Sequence, residues 1–325
     1  MLLAIIDKLW YKQHPMRWLL LPLAWIYQCI SGLRRIYLQR FRQRQFPVPI
    51  IVVGNLTVGG VGKTPLVIAL AQQLREQGLR VGIVSRGYGA SVRHFPYEVS
   101  ADADAVSVGD EPLLLAQKTS CPVVIAPKRV QAVQYLLDKY QSQVIISDDG
   151  LQHYAMGRAI EIVVIDGQRG LGNGLCLPAG PLREGVKRLQ QADLIVVNGA
   201  EWPNAYRMDL IPGELKQLTS GKSISAGELH GSVAAIAAIG NPQRFFATLA
   251  ALGIAFKPYC FPDHHYFQAA ELCVEEDIIV MTEKDAVKCQ ELATETMYFL
   301  PVQASLGDDF WQALWAHPKL QGYIK

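Results

Sequence analysis

The sequence predicts an α/β fold around a mostly parallel sheet, and three observations carry that prediction. Short apolar, β-branched runs alternate with helix-like stretches from Val48 to Asp166. A glycine-rich loop, Gly54-Asn55-Leu56-Thr57-Val58-Gly59-Gly60-Val61-Gly62-Lys63-Thr64, separates the first run from the first stretch. A later run, Val144 to Ser147, ends in the paired carboxylates Asp148 and Asp149. Strand, glycine loop, helix and a carboxylate-tipped strand are the parts of a P-loop nucleotide-binding core.

The chain has 325 residues, enough for about two domains. Half of them are hydrophobic and 18% are charged, which excludes disorder as the default state. Six scattered cysteines form no Cys-x-x-Cys pair and read as reduced thiols, not a zinc site or disulfide framework. The net charge of +2 gives no reason to expect nucleic acid, but it is unevenly placed. Residues 1–47 hold eight Lys/Arg and one acid, a net of +7, which leaves the remainder at −5.

Within that basic segment, Trp18 to Ile30 is apolar but shorter than the ~20 residues a spanning helix needs. Arg34, Arg35, Tyr37, Arg40, Phe41, Arg42, Arg44 and Phe46 follow. Tryptophan and leucine flanked by arginine predict a helix lying in the interface of an anionic membrane leaflet. The other reading is a helix packed on the protein's own core.

Val48 to Val53 predicts a buried strand, and Pro65 to Gln77 a helix closed by Gly78. Between them, Thr57, Val58, Gly59, Gly60, Val61, Gly62, Lys63 and Thr64 form the expected phosphate cradle. Lys63 is placed to reach the β/γ-phosphates, and Thr64 to hold Mg²⁺ at a helix N-terminus. Thr57 stands where the strict Gly-x-x-x-x-Gly-Lys-Thr pattern has glycine. Further strands are expected at 80–84, 122–126, 144–147 and 161–166, with helices at 111–119 and 129–140.

Polar clusters fall at the expected strand ends. Ser85-Arg86-Gly87-Tyr88-Gly89 offers a cation beside a turn, or only a turn with a solvated arginine. Asp148 and Asp149 suit Mg²⁺, which prefers oxygen ligands, and His153 lies four residues on. Gly109-Asp110-Glu111-Pro112 reads by itself as ordinary helix-start chemistry. Residues 173–184 are rich in Gly and Pro and read as a connector. Strands at 193–198, 232–239 and 277–282, with helices at 242–252, 285–292 and 308–316, predict a second, smaller α/β domain and a cleft between the two. The expected division is 1–47, 48–168 and 169–325. Thr282-Glu283-Lys284-Asp285 faintly echoes a guanine-reading motif at the wrong spacing, and either lies near the base or caps a helix.

Together, six segments in order resemble the tetraacyldisaccharide 4'-kinases, which phosphorylate the lipid A precursor of Gram-negative bacteria. These are the glycine loop, Ser85–Gly89, Gly109–Pro112, Asp148–His153, Leu177-Pro178-Ala179-Gly180-Pro181-Leu182-Arg183-Glu184, and Asp263-His264. The family shares the Thr or Ser at the position of Thr57. The resemblance implies ATP and Mg²⁺ as cofactors, a lipid A disaccharide precursor as acceptor, and peripheral attachment to the cytoplasmic leaflet of the inner membrane. It also implies that Asp110 accepts the proton of the sugar 4'-hydroxyl while His264 holds that carboxylate. Lys63, Arg86, Arg183 and Mg²⁺ then supply charge at the γ-phosphate, Asp149 serves as a catalytic and metal-binding carboxylate, and Glu184 is a further metal or water ligand. His265 reads as a core or surface residue. The competing reading is a P-loop GTPase or metallochaperone-type NTPase at a membrane surface.

Overall fold

The computed structural model describes residues 2–12 and 14–323. Two helices come first, α1 (Leu2–Tyr11) and α2 (Arg17–Tyr37), the latter continued by a π-helical turn over Leu38–Arg42. The nucleotide half follows as β1 (Ile50–Gly54), α3 (Lys63–Glu76), β2 (Val81–Ser85), β3 (Tyr97–Val99), α4 (Ala105–Val108), α5 (Asp110–Thr119), β4 (Val123–Ile125), α6 (Arg129–Tyr140), β5 (Val144–Ser147) and β6 (Ile160–Asp166). Then come β7 (Leu194–Asn198), β8 (Tyr206–Pro212), β9 (Leu215–Gln217), β10 (Ser223–Ile224), β11 (Val233–Ala237), α7 (Pro242–Ala251), β12 (Lys257–Cys260), β13 (Ile278–Thr282), α8 (Glu283–Ala286), β14 (Met297–Leu300), β15 (Val302–Leu306), α9 (Asp308–Trp315) and α10 (Pro318–Gln321).

The first sheet has nine strands in the order β15-β8-β7-β6-β1-β5-β2-β4-β3. Seven run parallel, and only the edge strands β3 and β15 are antiparallel. The parallel strands are buried on both faces, which is why β1 and β5 read as near-continuous apolar runs, while β6 is apolar apart from Glu161 and its terminal Asp166. Strand order reverses around β1, flanked by β5 and β6, and crevices at such reversals receive ligands. The second sheet, β10-β9-β14-β13-β11-β12, is parallel from β14 to β12.

The expected boundary at residue 168 does not match the sheets. β7, β8 and β15 pair within the first sheet, and Phe310, Leu314 and Leu320 of the C-terminal helices join its core. The second sheet is an insertion between β8 and β15, entered past Gly213 and left through Pro301, and the Gly213 N–H donates to the Pro301 carbonyl (2.9 Å). β8 (Tyr-Arg-Met-Asp-Leu-Ile-Pro) escapes an apolar-run reading because charged residues alternate along it. The helix expected at 285–292 is one turn only, since Thr282 caps it and a separate 3₁₀ turn covers Gln290–Leu292.

α2 has one buried residue, Ala24. Trp18 is 63% exposed, Leu19 78% and Trp25 62%, and Ile26, Ile30, Leu33 and Ile36 are exposed as well. Among the described residues, no helix is long and apolar enough to cross a membrane.

Candidate active site at facing strand ends

The carboxyl ends of strands from both sheets open onto one cavity of about 1560 Å³. This exceeds the roughly 300–1,000 Å³ of a site for one small molecule. From the first sheet come the glycine loop after β1, Arg86 after β2, Asp149 after β5 and Asn198 after β7. From the second come Gly240 after β11, His264 after β12 and Lys284 after β13.

Gly59 (φ +107°) and Gly62 (φ +95°) take backbone conformations that favour glycine. Thr57 does not, so a side chain costs nothing at that departure from the strict pattern. Thr57 bridges Leu182 in antiparallel fashion, and the Val58 amide donates to the Pro181 carbonyl (2.9 Å). One expected cradle member is thereby corrected: Thr57 is buried outside the cavity wall, while residues 58–64 line the cavity, the Val58 amide being engaged by the Pro181 carbonyl. The same pairing brings Arg183 beside the loop, through its N–H to the Leu56 carbonyl (2.7 Å).

Lys63 Nζ donates to Asn55 Oδ1 (3.0 Å) and lies 3.3 Å from Asp149 Oδ1. Arg183 Nη1 donates to both Asp149 oxygens (3.2 and 3.0 Å). Although burial opposes it, these cations hold the Asp149 carboxyl below its usual range. Asp149 sits at φ +45°, a strained conformation for a side chain that the ion pairs keep in place. Beneath it, Asp148 is wholly buried and Arg129 Nη2 donates to its carbonyl (2.9 Å). Burial, with Glu111 and Asp149 nearby, raises the Asp148 carboxyl, and its Oδ1 has no hydrogen-bond partner. Orphaned carboxylate oxygen below, with the Asp149 carboxylate and Thr64 hydroxyl at the wall, is an all-oxygen donor set that fits Mg²⁺.

Glu184, the further expected ligand, also lines the cavity. Its oxygens accept from Gln152 Nε2 (3.0 Å) and the Tyr154 hydroxyl, with Arg188 at 3.7 Å and Arg35 of α2 at 3.9 Å. It orders Gln152 and docks α2 from the cavity wall. His153 makes no side-chain bond to Asp148 or Asp149. Burial and four arginines (129, 158, 34 and 86) hold its imidazole neutral, with a pKa of about 4.

Gly109 (φ +90°) turns the chain into α5, and a Cβ there would lie 2.8 Å from the Tyr88 carbonyl oxygen. Asp110 thus opens the helix with its side chain buried. His264 Nδ1 lies 3.0 Å from each Asp110 oxygen, and Asp110 Oδ1 also accepts the Glu111 N–H (2.8 Å). Despite burial, the His264 hydrogen bond and Lys284 lower the Asp110 carboxyl to about 2. The same bond raises the His264 imidazole against its partial burial. His264 sits at φ +62° and its ring lies 5.2 Å from that of Tyr88. His265 turns away, bonding Glu271 (2.9 Å) and stacking on Phe261, as a packing histidine does.

The sequence reading missed Asn55, Gln152, Asn198 and the placement of Lys284. Asn198 Nδ2 donates to the Val61 carbonyl (3.0 Å) and so steadies the loop. Single polar residues carry no periodic signal, and although Asn55 and Gln152 lay within recognised motifs, nothing in those motifs assigned them a role. In the 282–285 segment, Thr282 caps α8 while Asp285 is buried, accepting from the Ala238 amide (2.9 Å) and ion-paired with Lys288 at 2.7 Å. It is spent internally and does not read a base.

The family model for Tetraacyldisaccharide-1-P 4'-kinase matches residues 16–319. The chain belongs to that family. A tetraacyldisaccharide 4'-kinase of Legionella pneumophila (strain Lens) is 56% identical over 98% of both chains. One of Alcanivorax borkumensis is 47% identical, covering 91% of this chain and 92% of the relative. Among solved structures, LpxK from Aquifex aeolicus in complex with ATP superposes with a TM-score of 0.75 at 28% identity, covering 92% of this chain and 98% of that one. Family membership accounts for a P-loop core combined with a second sheet, and for a cavity large enough for two substrates.

Proposed function

We propose that this family member transfers the γ-phosphate of ATP to the 4'-hydroxyl of a tetraacyldisaccharide 1-phosphate at the cytoplasmic face of the inner membrane. The observation that carries the reading is the Asp110–His264 pair, held in the same cavity as Lys63, Asp149 and Arg183.

ATP's phosphates lie against the amides of residues 59–64 at the start of α3, where helix geometry favours anions. Lys63 and Arg183 meet the charge that develops on the transferred group. Thr64 and Asp149, with Asp148 behind, would hold Mg²⁺, which when bound neutralises the phosphate oxygens. Asp110 accepts the proton of the sugar hydroxyl, and His264 keeps the carboxylate ionised and oriented. A loose transition state asks little basicity of that carboxylate, so a low pKa suits positioning over strong proton abstraction. The exposed Trp18, Leu19 and Trp25 face, with the basic stretch after it, is suited to bury in a leaflet and to bring the acceptor's sugar to the cavity.

The test is incubation of purified protein with labelled ATP, Mg²⁺ and the tetraacyl disaccharide 1-phosphate in mixed micelles. Label enters the lipid with the wild-type protein. Asp110→Ala lowers kcat by roughly 10²–10⁴-fold with ATP affinity retained. Label released only to water would sink the reading.

A further inference from the structure

Lys284 Nζ lies 2.8 Å from Glu111 Oε1, 3.4 Å from Asp263 Oδ1 and 3.7 Å from Asp110 Oδ2. Glu111 and Asp110 open α5 beside the first sheet, Asp263 precedes His264 on the loop after β12, and Lys284 stands on α8 after β13. We infer that Lys284 is a positioning residue, whose ammonium ties the helix of Asp110 to the loop of His264 across the cleft and sets the approach of imidazole to carboxylate. The inference rests on the roles proposed for Asp110 and His264 above.

Covalent structure cannot hold that approach, because the second sheet joins the first only past Gly213 and through Pro301. The local backbone cannot either, since His264 sits in the left-handed region. α8, by contrast, is anchored to its own sheet. Thr282 caps it, Asp285 bonds the Ala238 amide, and the Asp285–Lys288 pair is fully buried. A lysine on this base, 16% exposed, is a fixed point from which both sides of the cleft are reached.

Charge gives the second reason. Glu111, Asp263 and Asp110 converge on Lys284, and without it three carboxylates would crowd together beside the His264 ring. Repulsion between Glu111 and Asp263 would then push the His264 loop from α5. The groups facing Asp110 are His264, Lys284, Lys288, Glu111 and the Tyr266 hydroxyl. Lys288 is itself paired with Asp285. A lysine serving only as a buried ion pair would add little stability, and nothing in such a role requires it to touch both sides of the catalytic pair.

The test is Lys284→Met, which keeps length and removes charge, assayed beside the wild type with ATP and tetraacyl disaccharide 1-phosphate. The expected result is a fall in kcat of roughly tenfold to a hundredfold, with KM for ATP little changed. The acid limb of the kcat–pH profile moves to higher pH, because a cation that favours the ionised Asp110 is gone. Lys284→Arg restores the limb and part of the rate. A folded Lys284→Met with wild-type kcat and limb overturns the inference, as does a fall in Tm with the limb unmoved. Should Lys284→Met fail to fold, Asp263→Asn takes its place, expected to lower kcat by weakening the tie to the His264 loop; unchanged kcat there also overturns the inference. Absence of label transfer by the wild type sinks the kinase reading and this inference with it, whereas an active wild type beside an unaltered variant sinks the inference alone.

Discussion

The end of the cavity proposed to take the phosphates and the end proposed to take the acceptor are built on opposite principles. At the phosphate end, Lys63, Asn55, Asp149 and Arg183 all come from the first sheet and its connector, and they bond one another directly. At the acceptor end, Asp110 comes from one sheet and His264 from the other, and they meet only where the layers touch. The first cluster is preorganised by one sheet's register. The second exists only while two independently cored layers hold together, so loss of interlayer contact is expected to cost acceptor chemistry before nucleotide binding.

The largest effect expected on this comparison comes from Lys63→Ala. It removes the cation that holds Asp149 and is proposed to meet the phosphates, and kcat/KM should fall by about 10³-fold or more. A fall below tenfold would mean Arg183 alone carries the charge. Next is Gly240→Val, at the point where the second sheet presses on the glycine loop. A Cβ there would overlap the Gly60 amide, and Arg169 Nη1 donates to the Gly240 carbonyl (2.8 Å). Because the contact is backbone against backbone, the layers must part. We expect roughly a hundredfold loss of kcat, with a smaller loss of ATP affinity by calorimetry; the reverse order would break the comparison. A lipid-flotation assay tests the exposed helix, where Trp18→Ser with Trp25→Ser should weaken vesicle binding severalfold. Equal partitioning would return α2 to a purely internal role.

The smallest effect is on stability, and its sign follows from the two titrations. Asp110 is held low, so its contribution is complete above the unfolded value near 4 and is lost as pH falls through about 2. His264 is held high, so its contribution is complete below the unfolded value near 6.5 and is lost as pH rises through its raised folded value. The Tm difference between wild type and Asp110→Asn should therefore be widest between about pH 4 and 6.5 and shrink on both sides. A pH-independent difference would show that the pair does not carry a proton-linked charge interaction.

Segments with local causes were legible from the residues. The glycine loop, the strand ending in Asp148 and the helices over 65–77 and 129–140 each announce themselves within a dozen positions. Residues whose role depends on a distant partner were not. Glu184 reads only as a possible ligand beside Arg183, whereas the segment of Gln152 and Tyr154, Arg188 and Arg35 of α2 hold it from three parts of the chain. β15 carried no expectation from the sequence, yet it closes the edge of the first sheet against β8.

Apolar periodicity and turn chemistry, being short-range, determined the α/β alternation, the phosphate loop and the basic N-terminal helix from sequence alone. Asp110 by itself reads as a helix cap, and only the family resemblance linked it to His264, 154 residues away. Their meeting, the insertion of the second sheet and the three-way reach of Lys284 were decided by tertiary structure. Contacts of that kind depend on how two separately cored layers face each other, and no local pattern encodes the distance between them.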